Sequence, residues 1–122
     1  MQIIFGDHVN TIGDKYTVLE LDTFQSPTTG STMTAWCVVE TIPLTEMQMT
    51  HHYKKIHQDL LQAYKTQHWN YCKQAIEGLT GKWNGEVDTF YTDLLQRVLK
   101  YENTPPPDGW TGVIEKELPA LA

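Results

Sequence analysis

The chain is short of cysteine, of cationic residues and of long apolar runs. Only two cysteines occur in 122 residues, Cys37 and Cys72, with no Cys-x-x-Cys pair. Each falls in an apolar pattern, so both read as reduced core side chains and not as a redox couple or half a zinc site. Cysteine used in that way points to a cytoplasmic protein. Lys and Arg together number 9 against 15 Asp and Glu, a net charge of −6. That shortage argues against broad affinity for nucleic acid, which comes from neutralising phosphates. Nowhere does the sequence run apolar for the roughly 18 residues a membrane-spanning helix needs. The opening Met1–Asp7 has no basic region ahead of an apolar stretch, so no secretory leader is expected. With 6 prolines and 40% hydrophobic residues, the composition is that of a folded chain, ordered except at its ends.

What is present is helical periodicity over the second half. Met49, Tyr53, Ile56, Leu60, Ala63 and Tyr64 recur every three or four residues from Thr50 onward. The same spacing links Trp69, Cys72, Ile76 and Leu79, and then Phe90, Tyr91, Leu94, Leu95, Val98 and Tyr101. Three amphipathic helices joined by short links must bury these stripes against one another, which predicts a helical hairpin with a third helix across it. Thr45 and Thr50 are candidate N-caps for the first helix. Gly78, Gly81 and Gly85 bracket Lys82-Trp83-Asn84 in a tight loop, and Asp88 opens the third helix.

The first half alternates instead. Residues 2–9 predict a short strand, and 16–24 a second, with Tyr16, Val18, Leu19 and Leu21 set between acidic residues. A loop over 25–31 leads to a third at 32–40, with Met33, Ala35, Cys37 and Val39 on one face and Thr34, Trp36 and Val38 on the other. Pro43 ends the sheet. Pro105-Pro106-Pro107 stops the third helix, and Trp110–Ile114 is too apolar for a solvated end. An extended proline segment returning Trp110 to the second and third helices, near Ile76, Leu79 and Leu94, is the expectation. The fold class predicted is therefore α+β: a small antiparallel sheet of two to three strands, then a three-helix unit. A single domain over 1–122 would divide into a β part (1–41), a helical part (45–102) and a Pro-rich returning tail (103–122).

Two resemblances follow from particular residues. Tyr64-Lys65-Thr66-Gln67-His68-Trp69-Asn70-Tyr71-Cys72 resembles the turn of a tetratricopeptide-type repeat, although Leu60 stands where that repeat usually has a small residue. A longer stretch is similar to the C-terminal accessory region that follows the catalytic domain of bacterial class III adenylate and guanylate cyclases. The strand pair Lys15–Glu40, the helical hairpin, Arg97 in the third helix, Pro105–Pro107 and Trp110-Thr111-Gly112-Val113 carry that likeness. Gly6-Asp7-His8-Val9-Asn10 resembles a cyclase segment whose Asn and following Arg act in the transition state, yet Asp14 stands where the Arg belongs. No upstream pair of aspartates is there to hold Mg²⁺. The resemblance thus implies an accessory module and not a cyclase.

No catalytic, cofactor-binding or metal site is expected. His51, His52, His57 and His68 lack the i, i+4 spacing of helical metal ligands, and His8 beside Asp7 has no activated nucleophile near it. The favoured function is a non-catalytic protein-interaction or regulatory module, a homo-oligomer with Trp36, Val38 and Trp83 as contact residues. An alternative is a nucleic-acid or nucleotide-binding accessory protein using Lys54, Lys55, His57, Lys65, Trp69 and Lys73.

Overall fold

Alternating residues build β2 (Thr17–Gln25) and β3 (Thr32–Val39) into an antiparallel hairpin, closed by Ser26 N–H to Ser31 O at 2.9 Å and Gly30 N–H to Ser26 O at 2.8 Å. The computed structural model describes residues 2–11, 16–40, 42 and 44–115. β1 (Gln2–Phe5) pairs antiparallel with the other side of β3, from Gln2 opposite Val38 to Phe5 opposite Ala35. The predicted strand 2–9 is therefore shorter. Gly6, at φ +60°, turns the chain into a 3-10 segment over Gly6–Thr11, a backbone conformation that glycine adopts without a Cβ clash.

A bulge interrupts the hairpin. Glu20 faces Trp36 and Thr23 faces Thr34, so Leu21 and Asp22 together oppose Ala35 alone. The extra residue reverses which side chains face inward: Leu19 and Leu21 point to the core before it, and Phe24 packs there after it. The bulge also leaves Asp22 free to reach the helical layer.

The helices are α1 (Thr50–Lys65), α2 (Trp69–Leu79) and α3 (Asp88–Asn103), at the spans their apolar spacing predicts. Neither threonine caps α1. A 3-10 segment over Leu44–Met49 runs into the helix, Met49 takes the cap position, and the Thr50 hydroxyl donates to the Glu46 carbonyl at 3.5 Å. α1 and α2 form a hairpin and α3 packs on α2. The hairpin turn is tight, with Gln67 at φ +64° and His68 N–H on Ala63 O at 2.8 Å.

One core holds both layers together. Leu19, Leu21, Ala35, Cys37 and Val39 from the sheet meet Leu60 and Leu61 of α1, Cys72, Ile76 and Leu79 of α2, and Tyr91, Leu94 and Val98 of α3. Each large aliphatic buried there contributes about 1.5–3 kcal/mol by area. This is the α+β fold that the alternating first half and helical second half predict.

The tail adds an element absent from the sequence reading. After Pro105–Pro107, β4 (Ile114–Glu115) pairs parallel with β2, Ile114 opposite Phe24, giving the strand order β1-β3-β2-β4. Trp110 meets the rings of Tyr64, Trp69 and Tyr101, at the turn end of the α1–α2 hairpin, where the sequence pointed to Ile76, Leu79 and Leu94. The shift follows from length: a strand at Ile114 leaves Trp110 only a few residues from the sheet edge.

Candidate functional site

The polar side chains with unusual environments lie inside the protein. His57 sits on the same α1 face as Tyr53, Leu60 and Leu61 by helical spacing and is fully buried. Its Nε2 contacts the Glu20 carbonyl and its Nδ1 lies 2.9 Å from the Tyr91 hydroxyl, which also takes the Trp83 indole N–H at 3.1 Å. The partners fix every proton. A carbonyl can only accept, so Nε2 carries the hydrogen; neutral Nδ1 accepts from Tyr91 O–H; the Tyr91 oxygen accepts from Trp83. Burial pushes the His57 pKa below its ordinary value of 6.5, against the raising effect of the Glu20 carbonyl.

This network corrects two expectations. Trp83 is 1% exposed and no contact residue. The glycine loop folds it inward: Trp83, Asn84 and Gly85 have φ of +56°, +57° and +75°, and the cost of that backbone is offset by burying an indole whose N–H is satisfied. His57 likewise cannot face an anion. Its i+4 relation to Tyr53 and i−3 relation to Leu60 were the signal that it belongs to the core stripe.

The other anion candidates are dispersed. Lys55 pairs with Asp59 at 2.8 Å, Lys65 with Glu20 at 3.1 Å, and Lys73 with Glu102 at 2.8 Å. Trp69 is half-buried, stacked on Tyr101 with centroids 5.9 Å apart and planes at 21°. Lys54 is half-buried on α1.

A second cluster joins sheet, helices and tail. Arg97 of α3 donates through both terminal nitrogens to Asp22, at 2.9 and 3.0 Å, while its guanidinium lies 5.6 Å from the Tyr64 ring centroid. Tyr64, Trp69, Tyr101 and Trp110 pack edge to face and stacked around that ring, with centroids 5.2 to 6.5 Å apart. Burial raises the Tyr64 hydroxyl to about 12, so it stays protonated at neutral pH. Helical spacing puts Arg97 on its helix, but Asp22, 75 residues away, reaches it only through the fold.

The third candidate set fares unevenly. Trp36 is half-buried on the outer side of β3. Val38 is 4% exposed although it lies outside the core cluster, so it cannot be a free contact residue; an alternating strand pattern cannot tell a covered second face from a bare one. Exposed apolar side chains lie elsewhere. Leu44, Met47 and Met49 of the 3-10 segment are 82%, 53% and 42% exposed, and Ile3 of β1 is 41% exposed. One Glu46 carboxylate oxygen is buried without a hydrogen-bond partner among the described residues.

Among the described residues no three His, Cys, Asp or Glu side chains are grouped to hold a metal ion, and no helix is long and apolar enough to cross a membrane. Comparison of the chain with protein-family models, with curated proteins and with solved structures gives no match.

Proposed function

We propose that the chain is a non-catalytic interaction module that self-associates and docks a protein partner. The observation that carries this reading is the 3-10 segment Leu44–Met49. It ends the sheet and enters α1 with none of its residues buried, presenting Leu44, Met47 and Met49 to solvent. Methionine and leucine on such a surface adapt to apolar partners.

A regulatory role beside a cyclase-like partner is the form this takes if the resemblance to the cyclase accessory region reflects descent. Supporting it are the strand pair, the hairpin, the Arg97 contact to that strand pair and the Trp110 tail folded back on the hairpin. The two free, buried thiols support a cytoplasmic setting.

The test is a photo-crosslinking amino acid at position 47 and, as a control, at the exposed Gln96 of α3. Native-source extract and purified chain are the two targets. A discrete adduct formed from position 47 and not from 96 supports the reading. Equal, diffuse labelling from both positions, with a monomeric mass throughout the micromolar range, overturns it.

A further inference from the structure

β1 is an edge strand, short at four residues but otherwise without the usual protection. Its sequence Gln2-Ile3-Ile4-Phe5 carries no charge, no proline and no bulge, and among the described residues only β3 pairs with it. Alternate residues of such an edge point backbone N–H and C=O outward with no partner. Ile3, on the helix side of the sheet with its register partner Cys37, still leaves 41% of its surface in water.

We propose that two copies of the chain join edge to edge through β1, antiparallel about a two-fold axis at Ile4. The proposal rests on the reading of the chain as self-associating and names the surface. Three observations select a second copy as the occupant. The free edge demands another strand, since only a strand supplies alternating donors and acceptors along it. The molecule carries −6 net charge, so copies repel in general, yet this edge is uncharged and lets them meet without opposed carboxylates. The strand is also self-complementary. A two-fold between antiparallel neighbours keeps each face of the sheet on its own side, so directly opposed residues must share a face and the axis must pass through a residue. An axis at Ile3 would set polar Gln2 against Ile4. At Ile4, Ile3 lies against Phe5 of the second copy and Ile4 against its own counterpart. Gly6, turning away at φ +60°, ends the paired stretch.

In that arrangement the exposed part of Ile3 is covered by an aromatic ring. The Ile4 and Trp36 pair of each copy, opposed in register, forms one row across the outer face. The helical layers lie side by side on the other face.

Light scattering and sedimentation of the full chain across the micromolar range, with three variants, test this. Ile3→Lys places the charge natural edge strands use for protection, and should weaken the dimer about tenfold or more while the circular dichroism spectrum stays that of the wild type. Ile4→Cys should give a covalent dimer on mild oxidation, because directly opposed strand residues satisfy disulfide geometry, whereas Leu44→Cys should not. Trp36→Glu, one strand in from the edge, should leave the dimer intact. A wild-type dimer that withstands Ile3→Lys and dissociates with Trp36→Glu overturns the edge pairing and leaves self-association standing. A wild type that is monomeric throughout overturns both.

Discussion

Arg97 on α3 and Asp22 in the bulge of β2 form a two-pronged ion pair, 2.9 and 3.0 Å long, that ties the helical layer to the sheet. Their side chains are 23% and 16% exposed, so the pair is neither a surface bridge nor sealed from water. The planar guanidinium also lies over Tyr64, which a lysine cannot reproduce. Arg97→Lys should therefore recover little of what Arg97→Ala loses. Each is expected to cost about 1–3 kcal/mol, the worth of hydrogen bonds to a charged group left without its partner, reduced by partial exposure. Urea midpoints measure it; a lysine variant as stable as wild type would show that the fork and the ring contact are idle.

His57 makes stability depend on pH. Its folded pKa is depressed by burial below 6.5, so between the two values the unfolded chain binds more protons than the folded one. Stability then rises with pH through that window; the contribution is complete above about 6.5 and is lost as pH falls toward the folded value. Protonation would also set Nδ1–H and Trp83 N–H on the same Tyr91 oxygen and leave its hydroxyl proton without an acceptor. His57→Gln should flatten the urea midpoint against pH over this range, whatever it does to absolute stability. An unchanged slope in that variant assigns the dependence to other groups.

Tyr91→Phe should be costly for so small a change. It deletes one oxygen and strands two buried groups, Trp83 Nε1–H and His57 Nδ1. At about 1–3 kcal/mol for each unsatisfied group, the loss is about 2–6 kcal/mol. Trp83→Phe, which removes the donor and its need together, should cost less through hydrogen bonding, though it leaves a cavity. Double-mutant analysis of the two positions by chemical unfolding separates the effects; additive losses would mean that the chain of hydrogen bonds is not coupled.

The tail should act as part of the domain. Gly112 has φ +84°, and a Cβ there would meet the Lys65 Cγ at 3.3 Å. Gly112→Ala is expected to cost about 1–2 kcal/mol for the left-handed backbone alone. Trp110→Ala, removing a half-buried ring from contact with Tyr64, Trp69 and Tyr101, should cost about 2–4 kcal/mol, short of a fully buried indole. Truncation after Asn103 should lower the melting point at least as far. If the truncated chain melts within a degree or two of the full one, the docked tail contributes nothing to stability.

The two thiols should be silent until the protein opens. Burial pushes Cys37 up to about 12 and Cys72 up to about 11, so neither offers thiolate near neutral pH. Labelling by a thiol reagent should proceed only as fast as unfolding and speed up in urea. Rapid labelling of either cysteine in native buffer contradicts the packing described.

The sequence by itself determined the spans of α1, α2 and α3 and the division into a strand half and a helix half, because apolar periods of two and of three to four are written along the chain. Leu60, Ile76, Leu94 and Cys37 were legible as core for the same reason. It also brought His57 within reach, at core spacing in α1, although its ring chemistry drew it into a supposed anion surface. Tertiary structure alone decided the rest. The inward turn of Trp83 depends on a left-handed loop and a hydroxyl eight residues away. The cover over Val38 is invisible to an alternating pattern. The bulge that frees Asp22 for Arg97 is a matter of register between strands, and β4 exists only because β2 offers it an edge. Local spacing fixes which face of an element is apolar; what that face meets depends on contacts between residues far apart in sequence, which no local pattern encodes.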